Sequence, residues 1–326
     1  MEFIINPVLF STEQHFNQPD SNEIYDVIII GGGPAGLTAA VYCMRKGHRT
    51  ALLVNHVGGQ VAETAGIENY LGYRYIDGME LVSKFREQVF QFGIDFEADI
   101  QVKAIEDGKI KKVRTEDGRS FQGRTLIIAS GKQSKKLGVP GETEFVGHGV
   151  AYCSICDAPF YAGKKVVVVG GGNSGLGASL DLVKTAEHVI LLHRYKKLKG
   201  DKILIDKLQN YTNFEIYPEH EVLEITGENK VTGVTALDKR TNETKNIETD
   251  GVFAEIGLEP NTGFVKGTLE LNGFDEIVVD SYCRTNLSGI FAAGDVTSVP
   301  YKQIIIAGGE GAKAALAASE YILNLE

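Results

Sequence analysis

The sequence predicts an α/β protein built from two Rossmann-like dinucleotide-binding domains, the second inserted into the first. Three observations carry that expectation. A β-branched run, a glycine-rich turn and a helical stretch follow one another at YDVIII, GGGPAG and LTAAVYCMRKGH, residues 25–48. The same device recurs as KKVVVV, GGGNSG and LGASLDLVKT, residues 164–185, with the fingerprints starting at Gly31 and Gly170, 139 residues apart. The chain of 326 residues is about twice the usual ~150 per domain, and 43% hydrophobic content is enough for a core in each.

Taken in order, residues 1–23 lack sustained periodicity and read as a tail packed along the surface. The first domain begins at residue 24 with the strand YDVIII, and the run TALLV, residues 50–54, gives the second strand of a βαβ unit. RTLIIASG, residues 124–131, reads as a strand leaving that domain. The inserted domain is placed at 132–251, with HVILLHR, residues 188–194, as its second strand. The first domain is expected to resume at 252 and run to 326, through DGVFAEIGLEPNT and GIFAAGDV.

Composition narrows the function. A formal net charge of −10 repels nucleic acid and anionic lipid, and no apolar run approaches the ~18 residues of a membrane span. Four cysteines in so long a chain are no disulfide framework, and the N-terminus has neither a basic region nor an apolar core of a signal peptide, so a cytoplasmic location is expected. Glycine is the one excess, 38 residues against a usual ~7%, and its positions carry the chemistry.

Gly31, Gly33 and Gly36 fit G-x-G-x-x-G between strand and helix, where glycines let backbone amides approach a pyrophosphate at the positive helix end. Asn55, near the end of the following strand, stands where an acidic ribose ligand is usual, which leaves that contact unassigned. Gly170, Gly172 and Gly175 repeat the pattern. There the next strand ends in His193, Arg194 and Tyr195, followed by Lys196, Lys197 and Lys199. Such a cluster can neutralise an adenosine 2′-phosphate, which favours NADPH over NADH; the alternative is a solvated lysine face. Cys153 and Cys156 form the only close cysteine pair. The CxxC spacing permits a disulfide, half a metal site or two structural thiols. Zinc is disfavoured because Cys43 and Cys283 are isolated, and beside two dinucleotide sites the pair reads best as a redox dithiol. Asp157 next to it suits proton relay or a helix N-terminal charge equally. A nicotinamide delivers hydride and a disulfide accepts electrons through thiolate chemistry, so a mediator of both kinds is called for, and a flavin is one.

From about residue 24 to the C-terminus the chain resembles the low-molecular-weight thioredoxin reductase family. GGGPAG at 31–36, GGQ at 58–60, ENYLG at 68–72, YCSICDAP at 152–159, GGGNSG at 170–175, HR at 193–194, IGLEPNT at 256–262 and FAAGD at 291–295 occur in that family's order. The resemblance implies an FAD domain at 24–131 and 252–326, a nicotinamide domain at 132–251 carrying the dithiol, and a homodimer. It implies FAD contacts from Gly31, Gly33, Pro34, Ala35, Gly36, Gly59, Gln60, Asn69, Gly294, Asp295, Gln303 and Ile304, with Asp295 on the ribityl chain and Gln303 near the ring. Nucleotide contacts would come from Gly170, Gly172, Asn173, Ser174, Gly175, His193, Arg194 and Lys199. Cys156 would face the flavin with Cys153 as its disulfide partner, and Asp157 would give and take the proton. The partner implied is thioredoxin or a thioredoxin-like or glutaredoxin-like protein, reached after a rotation of the inserted domain about its two crossings.

The closing segment YKQIIIAGGEGAKAA, residues 301–315, is also similar to the flavoprotein component of alkyl hydroperoxide reductase. That relative carries an extra N-terminal thioredoxin-like module, for which the first 24 residues here are too short, and this weakens a peroxide-linked reading. Two departures from the thioredoxin reductase pattern concern the second site. Tyr195 and Lys199 stand where the family has arginines, and Gly177 where its helix commonly has Glu. They keep open a flavin and dithiol chemistry fed by ferredoxin or another non-nicotinamide donor, and a non-catalytic flavin redox sensor.

Overall fold

The computed structural model describes residues 16–62, 66–67, 69–152 and 154–325. The chain divides into two units, parting between Lys132 and Gln133 and again between Glu259 and Pro260.

The first unit is organised on β1, Ile24–Gly32, which runs straight into α1, Pro34–Arg45. Its parallel neighbours are β2, Thr50–Val57, on one side and β3, Ser120–Ile128, on the other. Outside β3 the strand Ile290–Ala292 adds in parallel, while Lys111–Thr115 pairs antiparallel with the start of β3. The VIII run of β1 is buried on both faces, as expected of a parallel strand covered on each side. Val27 and Ile29 enter a core with α1 and the C-terminal helix Ile304–Leu323, whereas Ile28 and Ile30 enter a second core with Phe121, Val265 and Ile277. The segment read as a tail contributes an edge: Phe16–Asn17 pairs parallel with Ile94–Glu97, and the Phe16 ring lies 5.4 Å from Phe90 and 5.5 Å from Phe96. Residues 1–15 lie outside the described residues.

The second unit repeats the plan. β4, Lys165–Val169, leads into α2, Asn173–Leu182, and is flanked in parallel by β5, His188–His193, and β6, Gly251–Ala254. Its valines again divide between two cores, Val166 and Val168 on one face, Val167 and Val169 on the other. A three-stranded antiparallel sheet, His220–Gly227, Val231–Asp238 and Glu243–Glu248, covers the latter face. The return to the first unit therefore falls at 259/260 and not at 251/252 as the sequence suggested. Gly251–Ala254 is an interior strand of the second sheet, because its four positions are all buried there. Among the described residues no helix is long and apolar enough to cross a membrane.

Candidate functional site

Both glycine fingerprints fold into the same device, and each glycine does a separate task. Gly31 has φ +115°, and a β-carbon there would lie 2.2 Å from the carbonyl oxygen of Ala129 on the adjoining strand. Gly36 lets α1 settle on its own strand, since a β-carbon would stand 1.9 Å from the Gly31 carbonyl oxygen. Gly33 differs: nothing lies within 4 Å of the place its β-carbon would take. It is the N-cap of α1 with no side chain capping the first turn, and Pro34 follows at the start of the helix. With no side-chain cap and open space beside Gly33, the first turn leaves an anion room to approach its amides.

The second fingerprint matches position by position. Gly170 has φ +136° and would clash with the Glu255 carbonyl at 2.1 Å, Gly175 would meet the Gly170 carbonyl at 1.9 Å, and Gly172 meets nothing. Gly172 caps α2 in nearly the conformation of Gly33, again without a side-chain cap. Two turns of one chain thus present uncapped helix N-termini at the carboxyl ends of parallel strands, the place where open α/β sheets take dinucleotides.

Around the first turn the structure gathers residues far apart in sequence. The Gly58 N–H donates to the Gly32 carbonyl at 2.8 Å, and a β-carbon on Gly59 would lie 3.4 Å from Gly33 Cα, so the 58–60 turn stands beside the helix start with Gln60 in it. Gly294, at φ +77°, abuts Ala35. The Asn69 amide donates to Gln303 Oε1 at 3.1 Å, and Ile304 packs on the small core containing Val61, Ile67 and Ile76. Burial raises the Asp295 carboxyl above its ordinary range, opposed by Lys302 and Lys132. Those two ammonium groups meet on one oxygen of Glu276, at 3.2 and 2.9 Å.

Around the second turn the cations separate. His193 is buried: its ring lies beneath Gly171, and Nε2 pairs with the Lys197 carbonyl at 2.9 Å. This side chain braces the 195–200 loop, a correction to its reading as a ligand cation. The Lys199 N–H donates to the Gly171 carbonyl at 2.7 Å and fixes the other end of the loop. Arg194 and Lys199 face outward and both converge on Tyr195. The guanidinium donates to the phenol oxygen at 3.1 Å, and Lys199 Nζ stands 4.4 Å from the ring centroid. The hydrogen bond from Arg194 and the charges of Arg194 and Lys199 lower the Tyr195 pKa. Asn173 exchanges hydrogen bonds with Asp201, and the Ser174 hydroxyl donates to the Glu255 carboxylate.

Of the dithiol segment, Cys153 and the side chain of Cys156 lie outside the described residues. The helix Ser154–Asp157 contains the backbone of Cys156, and burial raises the pKa of the half-buried Asp157. Cys43 and Cys283 are both buried.

A sequence profile described as pyridine nucleotide-disulphide oxidoreductase matches residues 25–311. The chain belongs to the pyridine nucleotide-disulphide oxidoreductase family. Within it, the chain is 42% identical over 311 residues to a protein of Ferdinandcohnia aciditolerans named NADH dehydrogenase, covering 94% of this chain and 60% of that one. It is 44% identical over 309 residues to an alkyl hydroperoxide reductase component of Pseudomonas aeruginosa, 93% of this chain and 59% of that one. The chain therefore spans about three-fifths of the length of these curated relatives. Among solved structures, thioredoxin reductase of Lactococcus lactis superposes with a TM-score of 0.85 at 37% identity, over 92% of this chain and 99% of that one. The likeness to low-molecular-weight thioredoxin reductases read from the sequence is thus met in the fold.

Membership of the pyridine nucleotide-disulphide oxidoreductase family implies FAD and a pyridine nucleotide as cofactors, and the two turns fit such groups on their own geometry. Sequence reasoning missed several residues of this oxidoreductase. Lys132, Glu276 and Lys302 surround Asp295 but sit in segments without a motif, and only the adjacency of Lys302 to Gln303 hinted at them. Glu255 reaches Ser174 from β6's far end, a contact that no local pattern announces.

Proposed function

We propose that this oxidoreductase is a flavin-dependent disulfide reductase, taking electrons from NADPH and passing them through Cys153 and Cys156 to the disulfide of thioredoxin or a similar small protein. The observation that carries the reading is the pair of matching glycine turns in one chain, each with an open approach at its second glycine, together with a CxxC in the unit of the second turn. Bound FAD supplies the conversion of one hydride into two electrons that a disulfide can accept. The overall balance is NADPH and one proton in, NADP⁺ out, one S–S bond broken and two S–H bonds formed.

In this reading Gly31, Gly33, Pro34, Ala35 and Gly36 hold the FAD pyrophosphate, with Gly59, Gln60, Gly294 and Asp295 beside it. Asn69 and Gln303, already hydrogen-bonded to each other, orient the rest of the cofactor with Ile304. Gly170, Gly172, Asn173, Ser174 and Gly175 take the nucleotide pyrophosphate. Arg194 and Lys199 take the 2′-phosphate, with the Tyr195 phenol as a shared anchor. Asp157 holds the proton for the dithiol, since burial keeps its acid form to higher pH than an exposed carboxyl. Resemblance extends the proposal to a homodimer in the cytoplasm.

Anaerobic titration tests this. Two equivalents of NADPH should bleach the flavin and yield two new thiols, one electron pair for each, with NADH less effective. A second reading, supply by a non-nicotinamide donor, is favoured by the Glu255 carboxylate at the second turn and by Tyr195, a departure from the thioredoxin reductase pattern the sequence resembles. It wins if dithionite bleaches the protein while millimolar NADPH and NADH do not.

A further inference from the structure

Glu142 is 2% exposed, and its carboxylate is engaged on both oxygens. Oε1 accepts from the Leu137 N–H at 2.7 Å and from the Tyr152 hydroxyl at 2.9 Å, and Oε2 accepts from the Gly138 N–H at 2.6 Å. The segment bearing this carboxylate is anchored. The Ile225 N–H donates to the Pro140 carbonyl at 3.0 Å, and Gly141, at φ +81°, is pressed so close that a β-carbon would lie 2.0 Å from the Ile225 carbonyl oxygen. Tyr152 in turn packs on the core of Val150, Val167 and Val252, and burial, then the bond to Glu142, raises its pKa.

Tyr152 is the residue directly before Cys153. It stands between the strand Val150–Ala151, which pairs with Val252 and Phe253, and the helix Ser154–Asp157 that contains Cys156. A neutral acceptor could close the turn at Leu137 and Gly138 with less desolvation cost than a buried carboxylate. The second oxygen of Glu142 lets the same side chain close the turn and reach Tyr152. We infer that Glu142 is a positioning residue for the Cys153/Cys156 dithiol, acting through the Tyr152 hydroxyl; this rests on the disulfide reductase reading above. The physical effect is on the equilibrium between disulfide and dithiol. Holding the backbone that enters the first cysteine raises the effective concentration of one thiol at the other, which favours the disulfide and makes the couple more reducing.

The test is a thiol–disulfide equilibrium on the full-length holoenzyme in dithiothreitol buffers, quenched by alkylation and read by mass. Each dithiothreitol delivers two electrons and two protons, breaking one protein S–S bond and forming two thiols as it closes to its own cyclic disulfide. Tyr152→Phe keeps the ring in its core and deletes only the hydroxyl. It should shift the equilibrium about 3- to 10-fold toward the dithiol, roughly 15–30 mV less negative at ~30 mV per tenfold. Glu142→Gln should shift it the same way, and the double variant should shift it no further than the larger single change. Thermal melting and flavin content, measured alongside, report purely structural damage. An unchanged potential in Tyr152→Phe, whatever its melting temperature, overturns the inference, as do single shifts that add in full. If the wild-type protein shows no two-electron thiol couple, the disulfide reductase reading itself fails and takes the inference with it.

Discussion

Replacing Gly33 by alanine should release FAD from a protein that still folds. Gly33 sits at φ −80° and ψ −176°, an extended conformation open to any residue, and its β-carbon would touch nothing within 4 Å. The cost to the fold is then the weaker N-cap preference of alanine, about 0.5–1 kcal/mol. The cost to the ligand is larger. An amide bound to a phosphate oxygen at ~2.9 Å brings that oxygen into the space a methyl on Gly33 would fill. Losing one or two charge-assisted hydrogen bonds at ~1.5–3 kcal/mol each gives about 1.5–6 kcal/mol, roughly 10- to 20,000-fold in affinity. The contrast comes from the neighbours. Gly36→Ala puts a methyl 1.9 Å from a backbone oxygen and should prevent folding. Gly172→Ala should keep FAD and lose the nicotinamide nucleotide. The assay is FAD fluorescence quenching on apoprotein, with thermal melts in parallel. An FAD affinity for Gly33→Ala within threefold of wild type refutes the argument, as does FAD loss in Gly172→Ala alone.

Arg194→Ala combined with Lys199→Ala should raise KM for NADPH at least tenfold and leave kcat and the KM for NADH little changed; equal effects on both nucleotides would reject the 2′-phosphate assignment. Because burial raises the Asp157 carboxyl, its acid form persists above the ordinary carboxylate range, and a step that needs this proton should slow as pH rises through the raised pKa. Asp157→Asn should be slow throughout and lack that limb in stopped-flow pH profiles; a limb that survives assigns the proton elsewhere. Burial pushes the Cys43 thiol up to about 12, and burial with a hydrogen bond to Glu310 raises Cys283 as well. Thiol titration of the native reduced protein at pH 8 should therefore count two reactive groups, and four in denaturant. A third fast thiol in the native state would contradict the burial of these two.

Much of the site was readable because its chemistry is local. Gly31, Gly33 and Gly36 act within one turn of chain, so spacing alone conveys their roles, and the same holds for Gly170, Gly172 and Gly175. The VIII and VVVV runs announce strands buried on both faces for the same reason. His193 shows where such reading stops. As a residue type it joins a cationic cluster, but it closes the buried end of β5 beneath Gly171, whereas Arg194, the first residue past the strand, is exposed. Gly251–Ala254 shows the same limit at the scale of domains: an apolar run states that it is a buried strand, not which sheet will bury it.

The sequence alone determined the duplicated α/β plan, the two glycine turns at uncapped helix starts and the CxxC spacing, because each depends on residues within about one supersecondary unit. Only the tertiary structure decided which distant side chains share a site. Asn69 meets Gln303, Lys132 and Lys302 meet on Glu276, and Glu142 meets Tyr152, through a chain folded back over separations that no local period encodes. The physical reason is that hydrogen bonds and charge pairs act over a few ångströms of space whatever the distance along the chain. Their partners are settled by packing, after the strands have chosen their neighbours.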